Sequence, residues 1–203
     1  MKIICIGRNY KDHIKELDNK LPEKPIFFLK PDSSILKNNK PFFIPNFSNR
    51  IEYEVEILIR INRIGKNIQK KFANKYYNEI GLGIDFTARD IQNSLKKKGL
   101  PWERAKAFDN SAVVGKWINK NHFSNIDDIS FHLEKNGKVV QKGNTKNMIW
   151  KLNELISEVS KFLTLKIGDI IFSGTPSGVG KIYIDDQYEG FIENKNIFSF
   201  KIK

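Results

Sequence analysis

Residues 51–60, IEYEVEILIR, alternate apolar and acidic side chains with a period of two. On a strand, Ile51, Tyr53, Val55, Ile57 and Ile59 share one face, and Glu52, Glu54 and Glu56 share the other, followed by Leu58. Three carboxylates in a row repel one another, and Glu is a poor strand former. A cation shared between neighbours removes that repulsion. Glu52 and Glu54 project side by side, about 7 Å apart at Cα. A hard cation such as Mg²⁺ wants oxygen ligands, takes few protein carboxylates and keeps waters or substrate oxygens in its other positions. Asp85, an acid inside the apolar stretch GIDFT, supplies a third ligand. The competing assignments are ordinary ones: a solvent-facing strand Glu, and for Asp85 a helix cap or a buried salt bridge.

The pattern along the chain is strand-dominated. KIICIG (2–7), PIFFLKP (25–31), PFFIP (41–45), EIGLGIDF (79–86), SAVVGKWI (111–118) and GDIIFSG (168–174) read as strands. ISFHLEKNGKVVQKG (129–143) reads as a hairpin turning at Asn136-Gly137, and residues 191–202 as a terminal hairpin. Residues 9–17 have helical spacing with Asn9 as cap, 68–78 are helical in pattern, and 148–162 form an amphipathic helix. A further helix starts at Thr87, where TARD places an acid three residues after a Thr, and stops near Lys98 before Gly99 and Pro101. The expected class is a β-rich α+β fold in one unit over 1–203, with no repeat and no linker.

The chain has 203 residues, enough for a substantial core, and one cysteine, Cys5. That excludes an internal disulfide framework and a cysteine-rich metal site. The three histidines, His13, His122 and His132, lack zinc-ligand spacing. No apolar run reaches the roughly 18 residues of a membrane span, and the N-terminus does not read as a signal peptide. The cytoplasm is the expected location. The net charge of +12 raises nucleic acid as a partner. The lysines are spread, however, over 36–40, 66–71, 96–98, 135–146 and 195–203, as expected of a solvated surface and not of one binding patch. A positive field would still speed the encounter with anionic metabolites.

Six stretches in order, GRNYKDHIKEL, PIFFLKP, IEYEVE, GIDFTARDIQ, KKKGLPWERAKAFD and GDIIFSGTPSGVG, resemble the fumarylacetoacetate hydrolase family over residues 3–202. The likeness is to its short branch of acylpyruvate hydrolases and oxaloacetate decarboxylases. The resemblance implies a mixed, largely antiparallel β-roll with a few peripheral helices, commonly a homodimer. It implies a Mg²⁺ site, with Mn²⁺ as substitute, on the E-x-E pair and the later acid, matched here to Glu52, Glu54 and Asp85. The substrates implied are small anionic 2-keto acids.

On that resemblance His13 and Glu16, one helical turn apart, form a dyad on a short lid helix. Glu16 orients His13, and His13 deprotonates the attacking water. Lys106 matches a lysine beside the substrate carboxylate or keto oxygen. Arg89, Gln92, Lys30 and Thr175 are candidate substrate contacts, with Arg89 equally a brace for the metal-binding strand and Lys30 either facing the cleft or paired with an acid. The loop TPSGVG lacks the nucleotide-loop pattern. Three residues depart from the family: Ile51 where relatives carry a polar residue, Glu56 where a small residue is usual, and Asp32 where a hydroxyl is common. Glu56 is expected to be solvent-facing or behind the ligands, and Asp32 to modify substrate preference.

The leading functional expectation is Mg²⁺-dependent cleavage of a C–C bond in 2,4-diketo acids, or decarboxylation of oxaloacetate. A keto–enol tautomerase of oxaloacetate or of a hydroxymuconate-type diacid is the alternative on the same metal site. A basic nucleic-acid-binding protein, indifferent to Mg²⁺, is the non-enzymatic alternative.

Overall fold

The computed structural model describes residues 1–36 and 40–203, so most of the lysine block at 36–40 lies outside the described residues. An eight-stranded sheet forms the body. Its order runs Ile26–Lys30, Ile3–Gly7, Ile170–Phe172, Val55–Ile61, Tyr77–Asp85, Ala112–Val114 and Ile35–Leu36, with Ile118–Asn119 also paired to Tyr77–Asp85. Two pairings are parallel, Ile3–Gly7 with Ile170–Phe172 and Ile35–Leu36 with Ala112–Val114; the other pairings are antiparallel. A four-stranded antiparallel sheet is built from Lys138–Asn144, Ser130–Lys135, Gln187–Ile192 and Lys195–Lys201. Ile51–Tyr53, between Gly180–Lys181 and Thr87–Ala88, makes a three-stranded third sheet. This is the mixed, largely antiparallel β-roll expected from the sequence.

The central strands are buried on both faces, which is why their apolar runs are nearly continuous. Val55, Ile57 and Ile59 join Ile80, Leu82 and Ile84 in the main core, and Leu58 packs with Ile3, Cys5 and Phe172 on the other side. The helix Leu152–Phe162 closes the core through Leu152, Leu155, Ile156 and Val159. Asn136 and Gly137 both take positive φ, as a two-residue hairpin turn of this hand requires.

Several local expectations give way to long-range packing. The strand expected over 51–60 is two strands, Ile51–Tyr53 and Val55–Ile61, in different sheets, and the chain changes sheet at Glu54. PFFIP makes one bridge, Phe42 to Ile202, and no strand. Of the helical pattern at 68–78, only a tight helix over Lys70–Tyr76 forms, because Tyr77 enters the central sheet. Asn9 does not cap the first helix, Lys11–Glu16. Its buried side chain donates to the carbonyls of Trp150 and Ser173 and accepts from the Trp150 N–H. Thr87 does not cap Arg89–Lys97 either; its hydroxyl donates to Glu54 at 2.9 Å. Among the described residues no helix is long and apolar enough to cross a membrane.

Candidate metal and keto-acid site

The change of sheet at Glu54 decides which carboxylates meet. Glu54 lies between the two strands, and its carbonyl accepts from the N–H of Asp85 at 2.9 Å. Glu56 stands on the next strand opposite Gly83. Carboxylate oxygens of Glu54, Glu56 and Asp85 lie within 4.8 Å of one another, and all three residues are buried. Glu52 is not in this group. Arg50 Nε donates to its Oε1 at 2.6 Å and Arg89 Nε to its Oε2 at 2.7 Å. The triad brought together is therefore Glu54, Glu56 and Asp85, with Glu56 in place of the expected Glu52. Glu56, expected to face solvent or stand behind the ligands, is 1 % exposed and accepts from the N–H of Gly174 at 2.7 Å.

Three buried cations face these acids. Lys106 Nζ donates to Glu54 Oε2 at 2.9 Å, to Asp85 Oδ2 at 2.8 Å and to the Thr87 hydroxyl. Arg89 donates to Glu52, Glu54 and Gln92, which uses its guanidinium as a brace. Lys30 does not line the cleft. Its Nζ donates to the carbonyls of Lys106 and Ser111 and to the Ser111 hydroxyl, and it sits 2.8 Å from Asp85 Oδ1. Asp85 Oδ1 is buried and held by Lys30 as an ion pair.

Each of the four acids sits among opposite and like charges: Lys30, Lys106 and Arg89 face them, and Arg50 also holds Glu52. Burial, reinforced by Asp85 and Glu54, pushes the Glu56 carboxyl well above the usual carboxylate range. Burial also opposes ionisation of Glu54, but Lys106, Arg89 and His13 overcome it and hold that carboxyl low. Burial disfavours the charged form of Lys106, and Asp85 and Glu54 outweigh it. A divalent cation fits this donor set. It is all oxygen, and three buried carboxylates converge within 4.8 Å of one another.

The same cavity is lined by His13, Gln92, Lys106 and Thr175 together with the three acids, so most of the expected site residues do converge. His13 and Glu16 form the expected pair, Nδ1 to Oε2 at 3.0 Å. With Nδ1 held by a carboxylate, Nε2 is the nitrogen left to take a proton. Burial raises the Glu16 carboxyl, but hydrogen bonds from His13 and from the backbone of Gly178 and Val179 outweigh it and hold it low. Gly178 N–H donates to Glu16 Oε1 at 2.9 Å, which ties the short helix to the glycine-rich turn.

Two glycines make the turn possible. Gly174 has φ +99°, and a Cβ there would stand 2.7 Å from Asn9 Cβ. Gly178 has φ +103°, and a Cβ would stand 2.6 Å from the Val140 carbonyl oxygen.

Two expectations need adjustment. The single Thr175 proton goes to the Val55 carbonyl at 2.9 Å, and its oxygen accepts from Gln141, so the hydroxyl has no proton for a substrate carboxylate. Asp32 is exposed in a short turn of helix and does not line the cavity. Sequence reasoning missed Arg8 and Lys96, which also line it; Lys96 belongs to the block at 96–98 assigned to solvated surface.

A β-roll holding a buried carboxylate cluster beside a His–Glu pair has the make-up of an enzyme site able to take a divalent metal. The model of the fumarylacetoacetate (FAA) hydrolase C-terminal region matches residues 2–203, and the chain belongs to that family. It is similar to the mitochondrial oxaloacetate tautomerase of Mus musculus, with 37 % identity over 201 residues covering 99 % of this chain and 91 % of that protein. It is also similar to the oxaloacetate tautomerase YcgM of Escherichia coli K12, 37 % identical over 187 residues, covering 92 % of this chain and 85 % of that one. Among solved structures, the fumarylpyruvate hydrolase of Pseudomonas aeruginosa in complex with Mn²⁺ and pyruvate superposes with a TM-score of 0.93 at 28 % identity, covering 100 % of this chain and 89 % of that one.

Proposed function

We propose that this chain is a divalent-metal-dependent oxaloacetate tautomerase, with Mg²⁺ as the metal and Mn²⁺ as a substitute. The observation that carries the reading is that the carboxylate triad and His13, held from behind by Glu16, line one cavity. The names of the two tautomerase relatives and the Mn²⁺–pyruvate complex of the hydrolase support it. Glu54, Glu56 and Asp85 would hold the cation. When bound, it supplies positive charge beside the keto oxygen of the substrate.

The chain's own groups do the rest. His13 Nε2 takes a proton from C3, the C3–H electron pair moves into the C2–C3 bond and the carbonyl π electrons move to oxygen; the imidazolium then gives its proton to that oxygen, directly or through a water, and ketonisation runs the same steps in reverse. Glu16 holds the ring and favours its charged form while the proton is on it. Lys106, whose three N–H go to Glu54, Asp85 and Thr87, adds positive charge beside the developing negative charge, and the free amide N–H₂ of Gln92, whose oxygen is taken by Arg89, offers a hydrogen bond. The cavity has about 30 Å³ of free space, room for a water or two and not for a four-carbon acid. Entry therefore requires the cavity to open, and the helix Lys11–Glu16, which places His13 on its wall, is the element proposed to act as a lid. A homodimer is part of the proposal and is checked by light scattering.

The assay follows the enol absorbance of oxaloacetate with Mg²⁺ and with EDTA. Metal-dependent ketonisation above the spontaneous rate, without pyruvate release, is expected; no acceleration overturns the reading. The second reading is cleavage of acylpyruvates or decarboxylation of oxaloacetate. It is favoured by the His13–Glu16 pair, which could equally activate a water. Metal-dependent pyruvate release from acetylpyruvate, fumarylpyruvate or oxaloacetate would establish it.

A further inference from the structure

Two cations line the cavity without an acid to pair with. Arg8 belongs to the turn after the first strand, and Lys96 to the last turn of the helix Arg89–Lys97. Among the described residues neither forms an ion pair with a carboxylate within 4.0 Å. The acids lining the cavity are Glu54, Glu56 and Asp85, the metal-binding group itself. Arg8 donates through Nη2 to the Asn19 side chain at 3.0 Å, while its Nε is buried with no hydrogen-bond partner. Buried guanidinium nitrogens are almost always paired, so an orphan donor in a cleft implies a ligand acceptor.

The backbone supports the same conclusion. Arg8 has φ +59°, in the left-handed region that a bulky residue rarely occupies. Such conformations concentrate at ligand sites, where the surroundings hold them. Lys96 Nζ lies 5.5 Å above the Trp102 ring, which fixes the ammonium at the cavity wall. Burial, Arg89 and Arg8 pull the Lys96 ammonium down to about 8, as expected of a cation placed among cations.

We infer that Arg8 and Lys96 seat the second carboxylate of a dicarboxylic 2-keto acid, whose first carboxylate and keto oxygen lie at the metal triad. The inference rests on the oxaloacetate reading of this cavity and assigns the residues that recognise the substrate's second carboxylate. A monocarboxylic keto acid leaves both cations unpaired. A diacid satisfies the Arg8 Nε and neutralises the pair, so the two residues set specificity and act on binding more than on the proton transfer.

The test uses the Mg²⁺-loaded protein and two non-reacting probes by calorimetry, 3,3-difluorooxaloacetate, a diacid that cannot enolise, and pyruvate, with one carboxylate. Lys96→Met should weaken the diacid at least 10-fold while pyruvate affinity stays within about twofold, and Lys96→Arg should restore diacid affinity. Arg8→Asn, which tolerates positive φ, should behave as Lys96→Met does. Unchanged diacid binding in Lys96→Met, or an equal loss for both probes, overturns the inference. Because the probes need no turnover, discrimination without oxaloacetate ketonisation would sink the tautomerase reading alone.

Discussion

The ammonium of Lys106 lies 2.8 Å from Asp85 Oδ2, while the second oxygen of that carboxylate faces Lys30 at 2.8 Å. Lys106 thus shares Asp85 and Glu54 with any cation that binds there. Lys106→Met leaves two buried carboxylates short of a partner. Removing one partner of a buried ion pair costs about 3–5 kcal/mol, so the EDTA-treated variant should melt well below the wild type. Added Mg²⁺ should recover more of the melting temperature in the variant than it adds to the wild type. Equal metal-induced shifts in the two proteins would contradict the shared site.

His13→Gln keeps the ring position polar but removes the base. Turnover should fall by roughly 10²-fold or more, the scale of a lost general base, while Mg²⁺ affinity by calorimetry stays within a few-fold. Glu16→Gln should fall less, because it orients the ring and does not take the proton. Undiminished turnover in His13→Gln would remove the dyad from the mechanism.

Lys96 gives the substrate affinity a pH dependence of known sign. The charges around it are Arg89, Arg8 and Lys106, which lower its pKa, and Glu54, which raises it; burial is the largest cause, and the result is about 8. The ammonium is charged below that pH and neutral above it. The KM for oxaloacetate should therefore rise as pH passes upward through about 8, and this rise should vanish in Lys96→Arg, since arginine stays charged. A KM profile identical in the two proteins would rule out Lys96 as its source.

Gly174→Ala adds a Cβ at φ +99° against Asn9 and shifts the N–H that Glu56 accepts. The strain should cost about 1–3 kcal/mol. At roughly 2–4 °C per kcal/mol for a domain of this size, the melting temperature should drop by several degrees. Metal affinity should fall with it, because Glu56 loses its anchor. A variant as stable as the wild type would mean that the turn relaxes freely.

The β-rich α+β class was legible because the strands carry their own signals, apolar runs, proline brackets and the Asn136-Gly137 turn, while the β-roll itself was implied by the resemblance of the six motifs. The site residues were legible as a set, through the order of motifs, but not in register. In sequence, Glu52 with Glu54 and Glu54 with Glu56 are equivalent i, i+2 pairs. What separates them is that Ile51–Tyr53 pairs with Thr87–Ala88 and Gly180–Lys181, while Val55–Ile61 pairs with Tyr77–Asp85 and Ile170–Phe172. Those partners are distant in the chain, and no local pattern announces the switch. The Arg50 two residues before Glu52 was the available clue, since a flanking arginine on a strand face is a ready ion-pair partner. Lys96 was hidden for the opposite reason: within three successive lysines, only the fold shows which one turns inward.

The central claim is that Glu56, and not Glu52, completes the metal triad. Calorimetric titration of Mg²⁺ into Glu56→Gln and Glu52→Gln tests it most directly. The account predicts that Glu56→Gln loses measurable Mg²⁺ binding while Glu52→Gln, relieved only of its arginine pairs, binds within a few-fold of the wild type. Normal binding in Glu56→Gln together with loss in Glu52→Gln would contradict it.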